Sequence, residues 1–142
     1  MKLKYIEEVR AFSRFYTVFF GILDKRFLKS RFSLLETRVM HCAYTKEGIL
    51  PSEIVAELNI DKGFLSRILV SLEKRKVIKR VQSKKDGRSV QMFITTLGKK
   101  EFKKLTKDSN NEVAGLLSNL SNAQCEILVR KMNEIKQLLS EG

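Results

Sequence analysis

The hydrophobic period of this chain changes once, near residue 77, and that change limits the folds open to it. Leu65, Ile68, Leu69 and Leu72 recur at steps of three and four, the spacing of one buried helical face, and Asp61 stands where it can cap that helix. Beyond it, Val77-Ile78-Lys79-Arg80-Val81 reads as a strand, Asp86-Gly87 as a hairpin turn, and Val90 to Thr95 as the returning strand. Upstream, Ser33-Leu34-Leu35-Glu36 has capping-box spacing. A helix is therefore expected to start at Ser33, carry Leu35, Val39, Cys42 and Ala43 inward, and stop at Gly48. Pro51 suits the first turn of a short helix from Pro51 to Leu58, with Asn59-Ile60 as the turn that follows. Two short helices around a tight turn, then a two-stranded hairpin, make a winged helix-turn-helix. One Pro and seven Gly supply too few turn signals for a sandwich or barrel.

Both ends of the chain are helical and carry more apolar surface than a lone surface helix needs. Val9, Phe12, Tyr16, Phe19, Leu23 and Phe27 form one stripe over residues 4–29, and Ile6, Phe15, Phe20, Ile22 and Leu28 widen it. A second body must cover the excess. Thr95 can open another helix running to about Leu120, and Ser121-Asn122-Ala123-Gln124 is a second capping box. The last helix carries Leu128, Met132, Ile135 and Leu139. The expected fold is mainly α with a small β-hairpin wing. It is a single domain over 1–142, with a winged-helix lobe at 33–96 between terminal helices at 4–29 and 97–140. The longest nearly apolar run, Phe15 to Leu23, is nine residues, too short to span a bilayer. Glu7 and Glu8 stand where a signal peptide needs apolar residues. Two Cys make no disulfide framework, so a soluble, cytoplasmic protein without membrane contact is expected.

The formal charge is +12, and its distribution says more than its size. Between Lys62 and Arg88 stand ten basic residues against Glu73 and Asp86 alone, so two-thirds of the excess lies in under a fifth of the chain. Such a segment calls for a polyanion, and a helix fits the major groove of duplex DNA. The buried face of the helix leaves Lys62, Ser66, Arg67, Val70 and Ser71 on or near its other side. Arg67 is the expected bidentate contact to guanine, with Ser66 and Ser71 short enough to touch bases or phosphates. Lys74 and Arg75, one turn on, are expected to hold phosphates. Lys84, Lys85 and Arg88 cluster at the hairpin tip, where Arg88 would enter the minor groove and Asp86 orient its guanidinium.

Chemistry other than binding is not marked. His41 is the single histidine, and its neighbour Cys42 points about 100° away on a helix, so the two cannot easily share a metal. No Cys-x-x-Cys, His-x-x-x-His or phosphate-cradling glycine loop occurs. Neither an enzyme nor a cofactor nor a metal is expected. Cys42 is expected to be plain packing, because reactivity needs exposure and a lowered pKa. The aromatics Phe12, Phe15, Tyr16, Phe19, Phe20 and Phe27 suit a helix–helix core first and a pocket for a small aromatic effector second.

Leu72-Glu73-Lys74-Arg75, Val77-Ile78-Lys79-Arg80, Asp86-Gly87-Arg88 and Thr95-Thr96-Leu97-Gly98 together resemble the MarR-type regulators, the multiple-antibiotic-resistance repressors, in order and spacing. The resemblance implies a homodimer formed by the terminal helices, two winged helices reading a palindromic operator, and a transcriptional repressor. Val9 to Thr17, Phe32-Ser33-Leu34 and Gly63 to Leu69 further resemble the regulator half of proteins that fuse this domain to a GCN5-type acetyltransferase. That narrower resemblance implies a second expectation, a DNA-binding or regulatory partner of a separately encoded acetyltransferase. One departure stands out: the family usually has Gly after the recognition helix, and this chain has Lys76. Either Lys76 takes a left-handed backbone or the helix ends differently.

Overall fold

The computed structural model describes residues 1–22, 30–85, 87 and 89–142. They form two compact units, Met1–Asp108 and Ser109–Gly142. In chain order the elements are α1 (Leu3–Phe19), α2 (Leu34–Thr45), α3 (Pro51–Leu58), α4 (Lys62–Lys74), β1 (Ile78–Gln82), β2 (Val90–Ile94), α5 (Thr96–Leu116) and α6 (Asn122–Ser140). The fold is mainly helical with one antiparallel hairpin, as the change of period predicts.

Local chemistry sets most boundaries. The Ser33 hydroxyl accepts from the Glu36 amide, and the Glu36 carboxylate accepts from the Ser33 amide, closing the capping box of α2. Pro51 opens α3, and Asn59 ends it in a left-handed conformation at φ 49°. Asp61 caps α4 by accepting from the Phe64 amide at 3.0 Å. Ser121 and Gln124 form the capping box of α6. In the hairpin, Ile78 pairs with Ile94 and Gln82 with Val90. Ile49 adds an isolated bridge to Met92, so the hairpin is tied to the segment after α2.

The core of the first unit gathers one face from each element. Val39, Met40, Cys42 and Ala43 come from α2, Ile54 from α3, and Leu65, Leu69 and Leu72 from α4. Ile78 and Met92 of the hairpin and Phe102 and Leu105 of α5 complete it.

The first helix ends earlier than its apolar stripe suggests. Instead of running over 4–29, α1 stops at Phe19, with Gly21 at φ 62°. The Ile22 amide donates to the Thr17 carbonyl at 2.9 Å and the Gly21 amide to Val18 at 3.2 Å, a Schellman termination that glycine makes at no steric cost. Leu23, Phe27 and Leu28 lie outside the described residues. No residue of α1 is buried, and none of α6 is.

Two junctions fix the wing relative to α4. At the end of α4 the Val77 amide donates to Leu72 at 3.2 Å and the Lys76 amide to Glu73 at 2.9 Å. Lys76 takes φ 61°, so a non-glycine residue occupies the left-handed position. At the start of α5, the Thr95 hydroxyl accepts from the Gly98 amide at 3.0 Å and donates to the Lys76 carbonyl at 2.6 Å. A Cβ on Gly98 would stand 2.1 Å from the Val77 carbonyl oxygen, so only glycine lets α5 approach the strand this closely.

Candidate nucleic-acid interface

The helix α4 divides cleanly. Leu65, Ile68, Leu69 and Leu72 are buried, while Gly63, Arg67, Val70 and Lys74, at spacings of four, three and four, are exposed on the opposite face. Lys62 and Ser66 are also exposed, along one flank of that face. With Pro51, Val55, Arg80 and Ser89 they line a cleft of about 490 Å³ that brings the start of α4 beside the hairpin strands. Arg80 is held by Glu73 at 2.9 Å. Lys84 and Lys85 are exposed at the hairpin tip. Asp86 and Arg88 lie outside the described residues.

Two of the residues expected to touch DNA are engaged elsewhere. Arg75 forms an ion pair with Glu36 at 2.7 Å, donates to the Arg31 carbonyl at 3.0 Å, and stacks its guanidinium 5.1 Å from the Phe32 ring centroid. Ser71 donates to the same Glu36 carboxylate at 3.4 Å and accepts from Arg75 at 3.1 Å. Glu36 thus caps α2 with one oxygen and binds the end of α4 with the other. Arg31 in turn pairs with Glu101 of α5 at 3.1 Å. Arg75 and Ser71 thereby tie the end of α4 to α2. Basic character near a helix end had pointed to phosphate. The partner that claims Arg75 is 39 residues away in sequence, and only the tertiary fold shows it.

Phe64 is not among the residues expected to touch DNA. It sits in the first turn of α4 and is 42% exposed, with the Arg67 guanidinium 5.6 Å from its ring centroid. Its signal was available: it falls off the buried stripe of α4 and three positions before Arg67.

The other singled-out side chains make packing contacts. Cys42 is fully buried, and desolvation, with the nearby Glu57 charge adding to it, pushes its thiol up to about 11. The His41 ring lies 5.9 Å from that of Phe102. The aromatics of α1 and its C-cap form a ladder: Phe15 stacks on Phe19 at 5.6 Å, and Phe12–Tyr16 and Tyr16–Phe20 meet tilted at 5.9 and 4.7 Å between ring centroids. Among the described residues no helix is long and apolar enough to cross a membrane.

A helix-turn-helix whose second helix exposes Arg67 and Lys74, followed by a basic two-stranded hairpin, defines a winged-helix fold. The sequence model of the MarR family matches residues 32–90. It is 32% identical over 95 residues to the HTH-type transcriptional regulator PapX of Escherichia coli, a match covering 67% of this chain and 54% of PapX. The chain thus spans about half the length of the curated relative it matches. Its fold is similar to that of Streptococcus pneumoniae FabT, solved in complex with DNA, at a TM-score of 0.78 and 19% identity, covering 96% of this chain and 98% of FabT. It is similar too to Bordetella bronchiseptica BpsR, whose DNA binding is described as regulated by 6-hydroxynicotinic acid, at a TM-score of 0.72 and 17% identity, covering 92% of this chain and 98% of BpsR.

Proposed function

We propose that this chain is a homodimeric transcriptional regulator that binds duplex DNA and represses by occupying a palindromic operator. The observation that carries the reading is the free face of α4, with Arg67 and Lys74 exposed opposite a wholly buried apolar stripe. In this reading Lys62, Ser66 and Arg67 meet the major groove and Lys74 its phosphates. Lys84, Lys85 and Arg88 of the wing reach the flanking minor groove, with Asp86 orienting Arg88. Arg75 and Ser71 act from inside, by holding α4 on α2. The exposed apolar residues of α1 and α6 support the dimer, because such surface is normally covered.

Selection of bound duplexes from a random pool tests this reading. The expected product is an inverted repeat with half-sites roughly 10–10.5 bp apart, centre to centre. Random duplex competing as well as the selected one would instead make the chain a non-specific DNA-packaging protein. A second reading concerns control: the partly exposed aromatic ladder Phe12–Tyr16–Phe20, along α1 and its C-cap, also suits a small aromatic effector. Release of the selected duplex by a panel of aromatic acids would establish it.

A further inference from the structure

We propose that Phe64 is a specificity-determining residue that reads the 5-methyl group of a thymine beside the base contacted by Arg67. The inference rests on the reading that α4 lies in the major groove. Of the large apolar residues of α4, Leu65, Ile68, Leu69 and Leu72 are at most 7% exposed, while Phe64 in the first turn is 42% and Val70, two turns on, 45% exposed; Phe64 is thus the exposed apolar side chain of the first turn. The first turn of a recognition helix is the part that approaches base edges. Gly63, beside it, has no side chain to hold the helix away from the groove. A phenyl ring offers no hydrogen bond, so its partner in the groove must be apolar. Thymine is the one base that presents a methyl group there. The Arg67 guanidinium lies 5.6 Å from the Phe64 ring centroid, so one contact helps to orient the other. The net charge of +12 supplies the attraction that brings this apolar surface against a duplex.

The experiment takes the duplex selected from a random pool and replaces each thymine in turn with deoxyuridine, which removes only the methyl group. Binding is followed by fluorescence anisotropy. One position in each half-site should lose affinity by about fourfold, the worth of one buried methyl-sized group. Phe64→Ala should bind the thymine and deoxyuridine duplexes equally at that position. Phe64→Leu, which keeps apolar contact, should restore part of the difference. Both variants should melt as the wild type does, since Phe64 is outside the core. Insensitivity at every thymine, with random duplex still excluded, would overturn the proposal and leave the regulator reading standing. Discrimination kept in full by Phe64→Ala would also overturn it and pass the role to a neighbour such as Val70. Equal binding of random duplex would remove both readings together.

Discussion

Lys76 holds a left-handed backbone, φ 61°, at the place where α4 hands the chain to the wing. An L-residue is strained there by roughly 1–2 kcal/mol. Lys76→Gly relieves that strain but also loosens the unfolded chain, so a net gain of about 0.5–1 kcal/mol is expected. The same change removes a cation from the C-terminal end of α4, the helix proposed to enter the major groove. The variant should therefore melt slightly higher yet bind DNA slightly more weakly, with a shallower dependence on salt. Loss of thermal stability would show that the side chain makes an interaction worth more than the strain. Lys76 was legible in the sequence because a glycine is expected after this helix, and the chemistry of the left-handed position says what a replacement costs. Cys42 carries a second residue-scale prediction. Its thiol sits at about 11 in the fold against an ordinary 9, because burial disfavours the thiolate. Well below pH 9 both folded and unfolded thiols are protonated and the contribution is complete. Between pH 9 and 11 the unfolded thiol ionises first, so stability falls, by up to about 2–3 kcal/mol from this group. Denaturant titrations at pH 7.5 and 10.5 should show Cys42→Ala losing part of that alkaline decline; an identical decline would mean the buried thiol does not titrate as assigned.

At the scale of elements, α4 and the wing are joined to α5 at one junction and α4 to α2 at another, each built from parts far apart in sequence. Gly98 must lack a side chain, because a Cβ would stand 2.1 Å from the Val77 carbonyl. Gly98→Ala should cost about 1–3 kcal/mol, the usual range for overpacking, seen as a lower midpoint in urea. The other junction is the Glu36–Arg75 pair, with Ser71 and Phe32 around it. Arg75→Ala leaves the Glu36 carboxylate, 13% exposed, without its cation and should destabilise by about 1–3 kcal/mol. Because Arg75 faces α2, its loss should lower DNA affinity while leaving the slope of log affinity against log salt unchanged. Lys74→Ala should do the reverse, keeping stability and reducing the slope by about 1 per subunit. A slope change for Arg75→Ala would return it to the phosphate-contacting set. These junctions mark where sequence reading stops. Thr95-x-x-Gly98 was visible as a pattern, and the caps at Ser33, Asp61 and Ser121 follow from spacing of three residues. The Glu36–Arg75 pair joins positions no local rule connects. The end of α1 was hidden for a different reason: apolar periodicity continues through Gly21, and it outweighed a glycine that terminates the helix.

For the whole molecule, the unburied apolar surface of α1 decides how the two charged lobes of a dimer would meet DNA. Val9 is 68% exposed, Phe15 62% and Phe12 51%, a stripe that water would not tolerate cheaply on an isolated chain. If a second copy covers it, two copies of α4 face a duplex together, and salt dependence counts the phosphates both neutralise. With about four phosphates per subunit the log–log slope is on the order of −7 for the dimer. Phe15→Glu places a charge in the stripe and, since Phe15 is outside the core, should leave the winged-helix lobe folded. Light scattering should then report a monomer, and the salt slope should fall by about half, because one lobe neutralises about half as many phosphates. The variant should also bind a single half-site as well as the full inverted repeat, since the gain from linking two lobes is gone. A Phe15→Glu protein that still scatters as a dimer, or a wild type that scatters as a monomer, would show that this stripe is not the surface on which two copies meet.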